Sequence, residues 1–147
     1  MTPLRAGVIG VGHLGQHHTR LYASLPASRL VGVVDQSGER ARMIADKHGA
    51  KVFRSIDELL DHIDVVSIAV PTSAHYDVAK TCLQAGKHVL VEKPIPVTST
   101  EAHELVQLAE QRGMFDQSLL SELRFMSLQS VYGVGPFSIS QVFEHDQ

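Results

Sequence analysis

Apolar runs alternate with helix-like segments almost from the first residue, and this alternation restricts the fold more than any other feature. The runs are residues 4–9, 30–34, 51–53, 65–70 and 88–91. Most are apolar at successive positions, which is typical of strands in a sheet covered by helices on both faces. Connections of this length predict parallel strands joined by right-handed crossovers. The sequence therefore predicts an α/β fold with a doubly wound parallel sheet of order 3-2-1-4-5-6.

The segments between and after these runs show the spacing of amphipathic helices. In the segment 39–48, Ala41, Ile44 and Ala45 fall on one side, and Gly49 follows as a helix stop. The predicted helices cover residues 14–25, 39–48, 56–62, 75–85 and 98–112. Beyond Gly113 the pattern weakens, and a loose alternation over 138–147 allows one further strand. We therefore expect a folded domain at residues 1–113 and an unassigned linker or tail at 114–147, without a complete second domain.

Composition restricts the class of protein rather than its function. Of the 147 residues, 44% are hydrophobic and 20% are charged, the balance of an ordinary globular protein. A net charge of -3 without runs of Lys or Arg predicts no nucleic-acid or membrane partner. No apolar stretch reaches the roughly 18 residues of a membrane span. The N-terminus does not resemble a secretory signal and Cys82 is the single cysteine, so a cytoplasmic location is expected.

The first predicted strand runs into a glycine-rich turn, Gly10-Val11-Gly12-His13-Leu14-Gly15. Glycines at this spacing let the chain turn tightly at Gly10, a phosphate approach the backbone at Gly12, and the helix pack closely on the sheet at Gly15. A pyrophosphate here would meet the N–H groups and the positive dipole end of the following helix. The turn therefore predicts a dinucleotide site at residues 10–15, against the alternative of a purely structural turn.

An acidic residue, Asp35, ends the second predicted strand 20 residues after Gly15, the spacing expected of a dinucleotide fingerprint. Its carboxylate would accept both hydroxyls of the adenosine ribose and repel a 2′-phosphate, which favours NAD over NADP as cofactor. Arg40 and Arg42 lie nearby in sequence and would weaken that discrimination. The alternative is a helix cap, because Asp35 and Ser37 both precede the second predicted helix.

Two more polar segments follow predicted strands, at the edge where open parallel sheets bind ligands. After the fourth strand come Pro71, Thr72 and His75, for which a strand end plus a helix cap is a sufficient explanation. After the fifth strand comes Glu92-Lys93-Pro94. Lys93 would donate to a substrate hydroxyl or oxyanion and assist proton transfer. The alternative is a solvated ion pair before a proline turn.

Other chemistries are disfavoured by the sequence. His17 and His18 are adjacent in a predicted helix and point apart, so no joint metal site is expected. Cys82 falls on the inward face of its predicted helix and fits the core. The GxSxG elbow of esterases and the GxxxxGK[ST] phosphate loop are both missing from the sequence.

Taken together, the motifs resemble the glucose–fructose oxidoreductase/inositol dehydrogenase (Gfo/Idh/MocA) family over residues 3 to about 113. The resemblance is carried by the glycine turn, Val33-Val34-Asp35, Ile68-Ala69-Val70-Pro71-Thr72 with His75, and above all Ala85-Gly86-Lys87-His88-Val89-Leu90-Val91-Glu92-Lys93-Pro94. It implies a Rossmann-type domain that binds NAD(P), and hydride transfer to or from a hydroxyl or carbonyl of sugars, cyclitols or amino sugars. Within the family, the chain looks most like members that act on nucleotide-linked amino sugars.

The resemblance also implies roles for particular residues. Lys93 would be the active-site lysine, and Glu92 and Pro94 would shape the nicotinamide pocket. The remaining cofactor-binding positions that it implies lie at the end of the fourth predicted strand and just after it: Ala69, Val70, Pro71, Thr72 and His75.

The C-terminal part departs from the family pattern. Arg124-Phe125 is followed by Met126-Ser127 where the family continues Asn-Pro, and the sequence has no counterpart of the family's Asp-x-x-x-His pair. We therefore expect a truncated oxidoreductase, inactive alone, that binds a sugar-type substrate only in a full-length form. The alternative is a non-catalytic NAD-binding or dimerising module, in which an exposed sheet edge favours a homo-oligomer. A methyltransferase or another nucleotide-binding protein is disfavoured by Asp35 and Glu92-Lys93-Pro94.

Overall fold

The computed structural model describes residues 3–91, 99–111 and 137–138. These residues belong to two compact units, one that ends at Val70 and one that begins at Pro71. Among the helices described, none is long and apolar enough to cross a membrane.

The first unit is a parallel sheet with helices between its strands. Its elements in chain order are β1 Leu4–Ile9, α1 His13–Ser24, β2 Ser28–Val34, α2 Gly38–His48, β3 Lys51–Val52, α3 Ile56–Leu60 and β4 Val65–Ile68. The strands are arranged β3-β2-β1-β4, and each neighbouring pair is parallel. Val8 of β1 lies between Val33 of β2 and Ser67 of β4. The predicted order of the first four strands and the central position of β1 are therefore confirmed.

Helices in this unit begin at side-chain caps where the sequence supplies them. The Arg40 N–H donates to the Ser37 hydroxyl at 3.2 Å at the start of α2, and a Ser55 cap begins α3 in the same way. Helix α2 ends at Gly49, as predicted. Helix α1 differs, because its N-cap is Gly12 and no side chain caps it. A helix start without a cap leaves N–H groups that an anion can use.

The second unit begins with a turn of 3-10 helix at Thr72–Ala74. It continues with α4 His75–Gln84, β5 His88–Val91, α5 Ser99–Gln111 and β6 Phe137–Ser138. Strand β6 runs antiparallel to β5 and starts one residue before the stretch 138–147 in which a strand was expected. The rest of that stretch lies outside the described residues. The parallel pairing predicted for the sheet does not extend to β6. Parallel neighbours require a crossover connection, whereas antiparallel neighbours such as β5 and β6 do not.

Helices α4 and α5 are joined by a polar cluster of Tyr76, Lys80 and Glu104. The Tyr76 hydroxyl donates to the Glu104 carboxylate, and Lys80 Nζ lies 2.6 Å from Glu104 Oε1. The Lys80 ammonium also lies 5.6 Å from the centre of the Tyr76 ring. The hydrogen bond between Lys80 and Glu104 lowers the pKa of Glu104 and raises the pKa of Lys80, so both groups stay charged at neutral pH.

A buried polar chain connects α1 to β4 in the core of the first unit. The Tyr22 hydroxyl lies 2.7 Å from Ser67 Oγ, which in turn lies 3.0 Å from Nδ1 of His18. All three residues are buried. Burial raises the pKa of Tyr22 despite the hydrogen bond with Ser67, so the phenol stays neutral. Ser67 therefore provides a buried hydrogen-bond partner for two side chains of α1.

Ser67→Ala is expected to lower the free energy of unfolding by about 1–3 kcal/mol, because the Tyr22 hydroxyl loses its buried partner. Urea unfolding followed by circular dichroism measures the change. Ser24→Ala, at an exposed serine, is the control and should change the free energy by less than about 0.5 kcal/mol. Combined with Tyr22→Phe, the two losses should not add, since both variants remove the same bond. Additive losses would contradict this role of Ser67.

Candidate functional site

The turn between β1 and α1 contains two glycines that the packing requires. Gly10 has a φ of 89°, and a Cβ there would lie 2.5 Å from the carbonyl oxygen of Ala69. A Cβ on Gly15 would overlap the carbonyl oxygen of Gly10. The Gly10 N–H donates to the Val34 oxygen at 2.8 Å, which anchors the turn to β2. The tight turn and the close helix packing expected from the sequence are therefore both present.

Gly12 is different, because nothing lies within 4 Å of a Cβ built on it. Its φ of -70° and ψ of -159° are extended backbone that other residues adopt, so local packing does not require glycine here. The missing side chain leaves space beside the uncapped start of α1, where N–H groups and the helix dipole favour an anion. The space at Gly12 has the properties of a phosphate site.

Asp35 follows β2, and its carboxylate accepts hydrogen bonds from three residues. The Val11 N–H donates to Oδ2 and the Ser37 N–H donates to Oδ1, each at 2.8 Å. Nη2 of Arg40 lies 2.8 Å from Oδ1 and 3.1 Å from Oδ2. Only 2% of the Asp35 side chain is exposed. Asp35 therefore connects the glycine turn to the start of α2, although Ser37 rather than Asp35 is the N-cap of that helix.

The charge of Asp35 follows from these contacts. Burial by itself raises the pKa of Asp35, but hydrogen bonds from Arg40, Val11 and Ser37, together with the Arg40 charge, lower it below its ordinary value. The carboxylate is therefore ionised at neutral pH. An ionised carboxylate accepts hydrogen bonds from hydroxyls and repels phosphate.

Stability should depend on pH through Asp35. Because its pKa is lower in the folded state, the ionised form stabilises the fold above the unfolded-state pKa of about 4 and loses this effect as pH falls through the folded-state pKa. We expect Asp35→Asn to be less stable than wild type at about pH 7, with a smaller difference at about pH 3. Urea unfolding at both values tests this, with Asp46→Asn at an exposed position as control. A difference independent of pH would contradict the assignment.

Ala69 and Val70 follow β4 beside the turn. The Ala69 N–H donates to the Ile9 oxygen at 2.8 Å, which extends the pairing of β4 with β1 by one residue. The Ala69 carbonyl closes the space beside Gly10. The first unit thus brings the glycine turn, Asp35 and Ala69 together at the carboxyl ends of β1, β2 and β4, the edge where open parallel sheets bind ligands. Their contact with a cofactor stays a prediction.

The segment after Val70 belongs to the second unit. Pro71 is exposed, and its carbonyl accepts the Ala74 N–H at 2.9 Å in the 3-10 turn that begins at Thr72. The helix cap considered for this segment is not formed by a side chain. The N-cap of α4 is Ala74, because the 3-10 turn leads directly into the helix.

The remaining predicted site residues differ in what the structure describes of them. His75 begins α4 and is buried, with 4% of the residue exposed. Glu92, Lys93 and Pro94 lie outside the described residues. The role of Lys93 as active-site lysine therefore stays a prediction.

The contact between His13, which belongs to the glycine turn, and His17 was not predicted from the sequence. His13 and His17 lie one turn apart on α1, with ring centres 5.1 Å apart in an edge-to-face arrangement. Burial lowers the pKa of His17, and so do the charges of His13, Arg20 and His18. The i, i+4 spacing would have revealed the pair. In the described part of the chain, no three His, Cys, Asp or Glu residues are placed to hold a metal ion.

A parallel sheet with a glycine turn after its central strand and an acid after the next one is typical of a dinucleotide-binding domain. Residues 4–117 match the Gfo/Idh/MocA oxidoreductase family, NAD-binding Rossmann fold. The chain therefore belongs to this family of oxidoreductases. The match confirms the family resemblance and the Rossmann-type fold predicted from the sequence.

One similar protein is UDP-N-acetylglucosamine 3-dehydrogenase from Acidithiobacillus ferrooxidans. It is 46% identical over 112 residues, which are 76% of this chain and 35% of the relative. Its solved structure matches with a TM-score of 0.73 at 45% identity, covering 78% of this chain and 37% of that one. The similarity agrees with the resemblance to members that act on nucleotide-linked amino sugars.

Two further solved structures contain different cofactors. GenD2 from gentamicin A biosynthesis, in complex with NAD, matches with a TM-score of 0.73 at 32% identity over 77% of this chain and 33% of that one. Biliverdin reductase from Synechocystis sp., in complex with biliverdin and NADP+, matches with a TM-score of 0.72 at 33% identity over 76% and 36%. The chain thus spans about a third of the length of these relatives.

Proposed function

We propose that this chain supplies the NAD-binding site of an oxidoreductase that transfers hydride between nicotinamide and a hydroxyl of a sugar or nucleotide-linked amino sugar. The observation that carries the proposal is the space at Gly12 beside an uncapped helix start, next to Asp35, which accepts the Val11 N–H. The pyrophosphate would lie against Gly12 and accept hydrogen bonds from the N–H groups at the start of α1. The adenosine ribose would lie at Asp35.

NAD is the proposed cofactor, with NADP bound more weakly. The carboxylate of Asp35 is ionised and held in place by backbone N–H groups, so a 2′-phosphate beside it would meet an unfavourable charge. The half-exposed Arg40 offsets part of this repulsion. Complexes with NAD and with NADP+ both occur among similar structures, so the proposed preference for NAD rests on the charge at Asp35.

Lys93 is proposed to act on the substrate and to contact the cofactor. When bound, the nicotinamide supplies the acceptor or donor of the hydride. The Lys93 amine would hold the proton that the substrate hydroxyl gives up during oxidation and return it during reduction. Glu92 and Pro94 would shape the nicotinamide pocket, and Pro71, Thr72 and His75 would line the path of the cofactor.

The substrate class is proposed from the relative named UDP-N-acetylglucosamine 3-dehydrogenase. Turnover by these 147 residues alone is expected to be low, because hydride transfer needs the substrate held against the nicotinamide, and the site proposed at the glycine turn and Asp35 would hold only the cofactor. We also propose a homo-oligomer, because an exposed sheet edge would favour self-association, and a cytoplasmic location, because Cys82 is the single cysteine.

Titration of NADH and NADPH, followed by cofactor fluorescence, tests the proposal. Gly12→Val should weaken NADH binding by about tenfold or more, because its side chain occupies the space meant for the pyrophosphate. Its unfolding midpoint should stay close to that of wild type, since the position is open. Ala23→Val, at an exposed position near the other end of α1, is the control and should bind normally. Wild type that binds neither dinucleotide at millimolar concentration would refute the proposal.

A further inference from the structure

The carboxylate of Asp35 has little capacity left for a further hydrogen bond. A carboxylate accepts about four hydrogen bonds, and Asp35 already accepts bonds from two backbone N–H groups and from Nε and Nη2 of Arg40. The two N–H groups belong to the glycine turn and to the start of α2, so the backbone fixes them. The bonds from Arg40 come from a flexible side chain of which 45% is exposed.

We infer that Arg40 occupies the ribose-binding position of Asp35 in the free protein and must withdraw before an adenosine ribose can bind there. The inference rests on the proposed function and adds a residue that sets the preference between cofactors. The ribose hydroxyls need the oxygens that now face Arg40, because the other donors to Asp35 cannot leave without opening the turn. Arg40 can leave, since its partly exposed guanidinium regains water.

The effect of Arg40 on affinity has opposite signs for NAD and NADP. For NAD, the pair between Arg40 and Asp35 competes with the ribose, so the apparent affinity equals the intrinsic affinity multiplied by the fraction of molecules in which Arg40 has withdrawn. For NADP, the withdrawn guanidinium lies next to the 2′-phosphate, which it can bind through paired N–H groups. Arg40 therefore lowers the affinity for NAD and raises the affinity for NADP.

Arg40→Met tests the inference, because methionine keeps much of the aliphatic length and removes the guanidinium donors to Asp35 while the two backbone donors stay. NADH, or ADP-ribose, which keeps the adenosine ribose and the pyrophosphate but lacks nicotinamide, should bind about two- to fivefold more tightly, the factor expected for a partly exposed ion pair. NADPH should bind more weakly than to wild type. Arg42→Met is the matched control, because it removes the same charge from an exposed position on the same helix without changing the contacts of Asp35. It should not tighten NADH binding.

A second variant covers the case in which Arg40→Met is poorly folded. Arg40→Lys keeps the charge but not the paired N–H groups, so NADH should bind more tightly while NADPH loses less than in Arg40→Met. In an Asp35→Ser background, Arg40→Met should no longer tighten NADH binding, because the competing pair is gone.

The outcomes separate this inference from the proposed function. If wild type binds NADH but both Arg40 variants bind it equally well or less well, the inference is wrong and the proposed function stands. If Arg40→Met and Arg42→Met change the affinities for NADH and NADPH by the same factors, Arg40 acts only as a general positive charge and the inference is again wrong. If wild type and Arg40→Met bind neither dinucleotide, the proposed function fails and the inference fails with it.

Discussion

Gly15→Ala is expected to lower the free energy of unfolding by about 3 kcal/mol or more. A Cβ at this position overlaps the carbonyl oxygen of Gly10, and its next neighbour is the side chain of Ala69 at 3.5 Å. Neither can move easily, because the Gly10 N–H is bonded to Val34 and the Ala69 N–H to Ile9. Relief would require α1 to shift away from the sheet.

The loss should appear as a lower midpoint in urea unfolding with little change of slope, since the unfolded chain is nearly the same. Gly38→Ala is the control, because a Cβ at Gly38 meets nothing within 4 Å and the position begins a helix. It should be neutral or slightly stabilising. Equal stability of Gly15→Ala and Gly38→Ala would show that the turn adapts to a side chain. The close packing of α1 would then not explain this glycine.

The sequence predicts most of the strands and turns that position the site. The ends of β1 and β2, the helix stop at Gly49 and the position of Asp35 after β2 follow from hydrophobic runs and turn residues, which act over a few neighbours. Strand β4 is an exception, because it ends at Ile68 and not at Val70, where its apolar run ends. The separate jobs of Gly10 and Gly15 were also predictable, because the spacing of the turn already implies a tight bend and a close helix. The backbone at this edge was therefore well constrained by local signals.

Contacts between distant residues were not predictable in the same way. Val11 donates to Asp35 across 24 positions, and Ser67 meets Tyr22 across 45, so neither pair has a local pattern. The sequence shows that Arg40 is near Asp35. It does not show that the Arg40 guanidinium donates to both carboxylate oxygens of Asp35, because this depends on side-chain direction and burial. The start of α4 at Ala74 also has no capping residue in the sequence. A 3-10 turn leads into the helix there, and no side chain caps it.

Asp35→Ser is expected to reverse the preference between cofactors. NADH should bind about ten- to a hundredfold more weakly, because two hydrogen bonds from the ribose to a charged acceptor are lost. NADPH should bind more tightly than to wild type, since the charge that repels its 2′-phosphate is gone and Arg40 no longer has a carboxylate to pair with. Parallel titrations of both dinucleotides measure the ratio.

Asp64→Ser supplies the matched control for that experiment. Asp64 accepts from the Arg5 backbone N–H and from its guanidinium at 2.9 Å, so this pair resembles that of Asp35 and Arg40. It lies at the start of β1 and β4, the end of the sheet opposite the glycine turn. Removing it should leave the ratio of NADH to NADPH affinity unchanged. If Asp35→Ser weakens the binding of NADH and of NADPH by the same factor, Asp35 acts only by holding the turn through its hydrogen bond with Val11. The charge argument for NAD would then have no support.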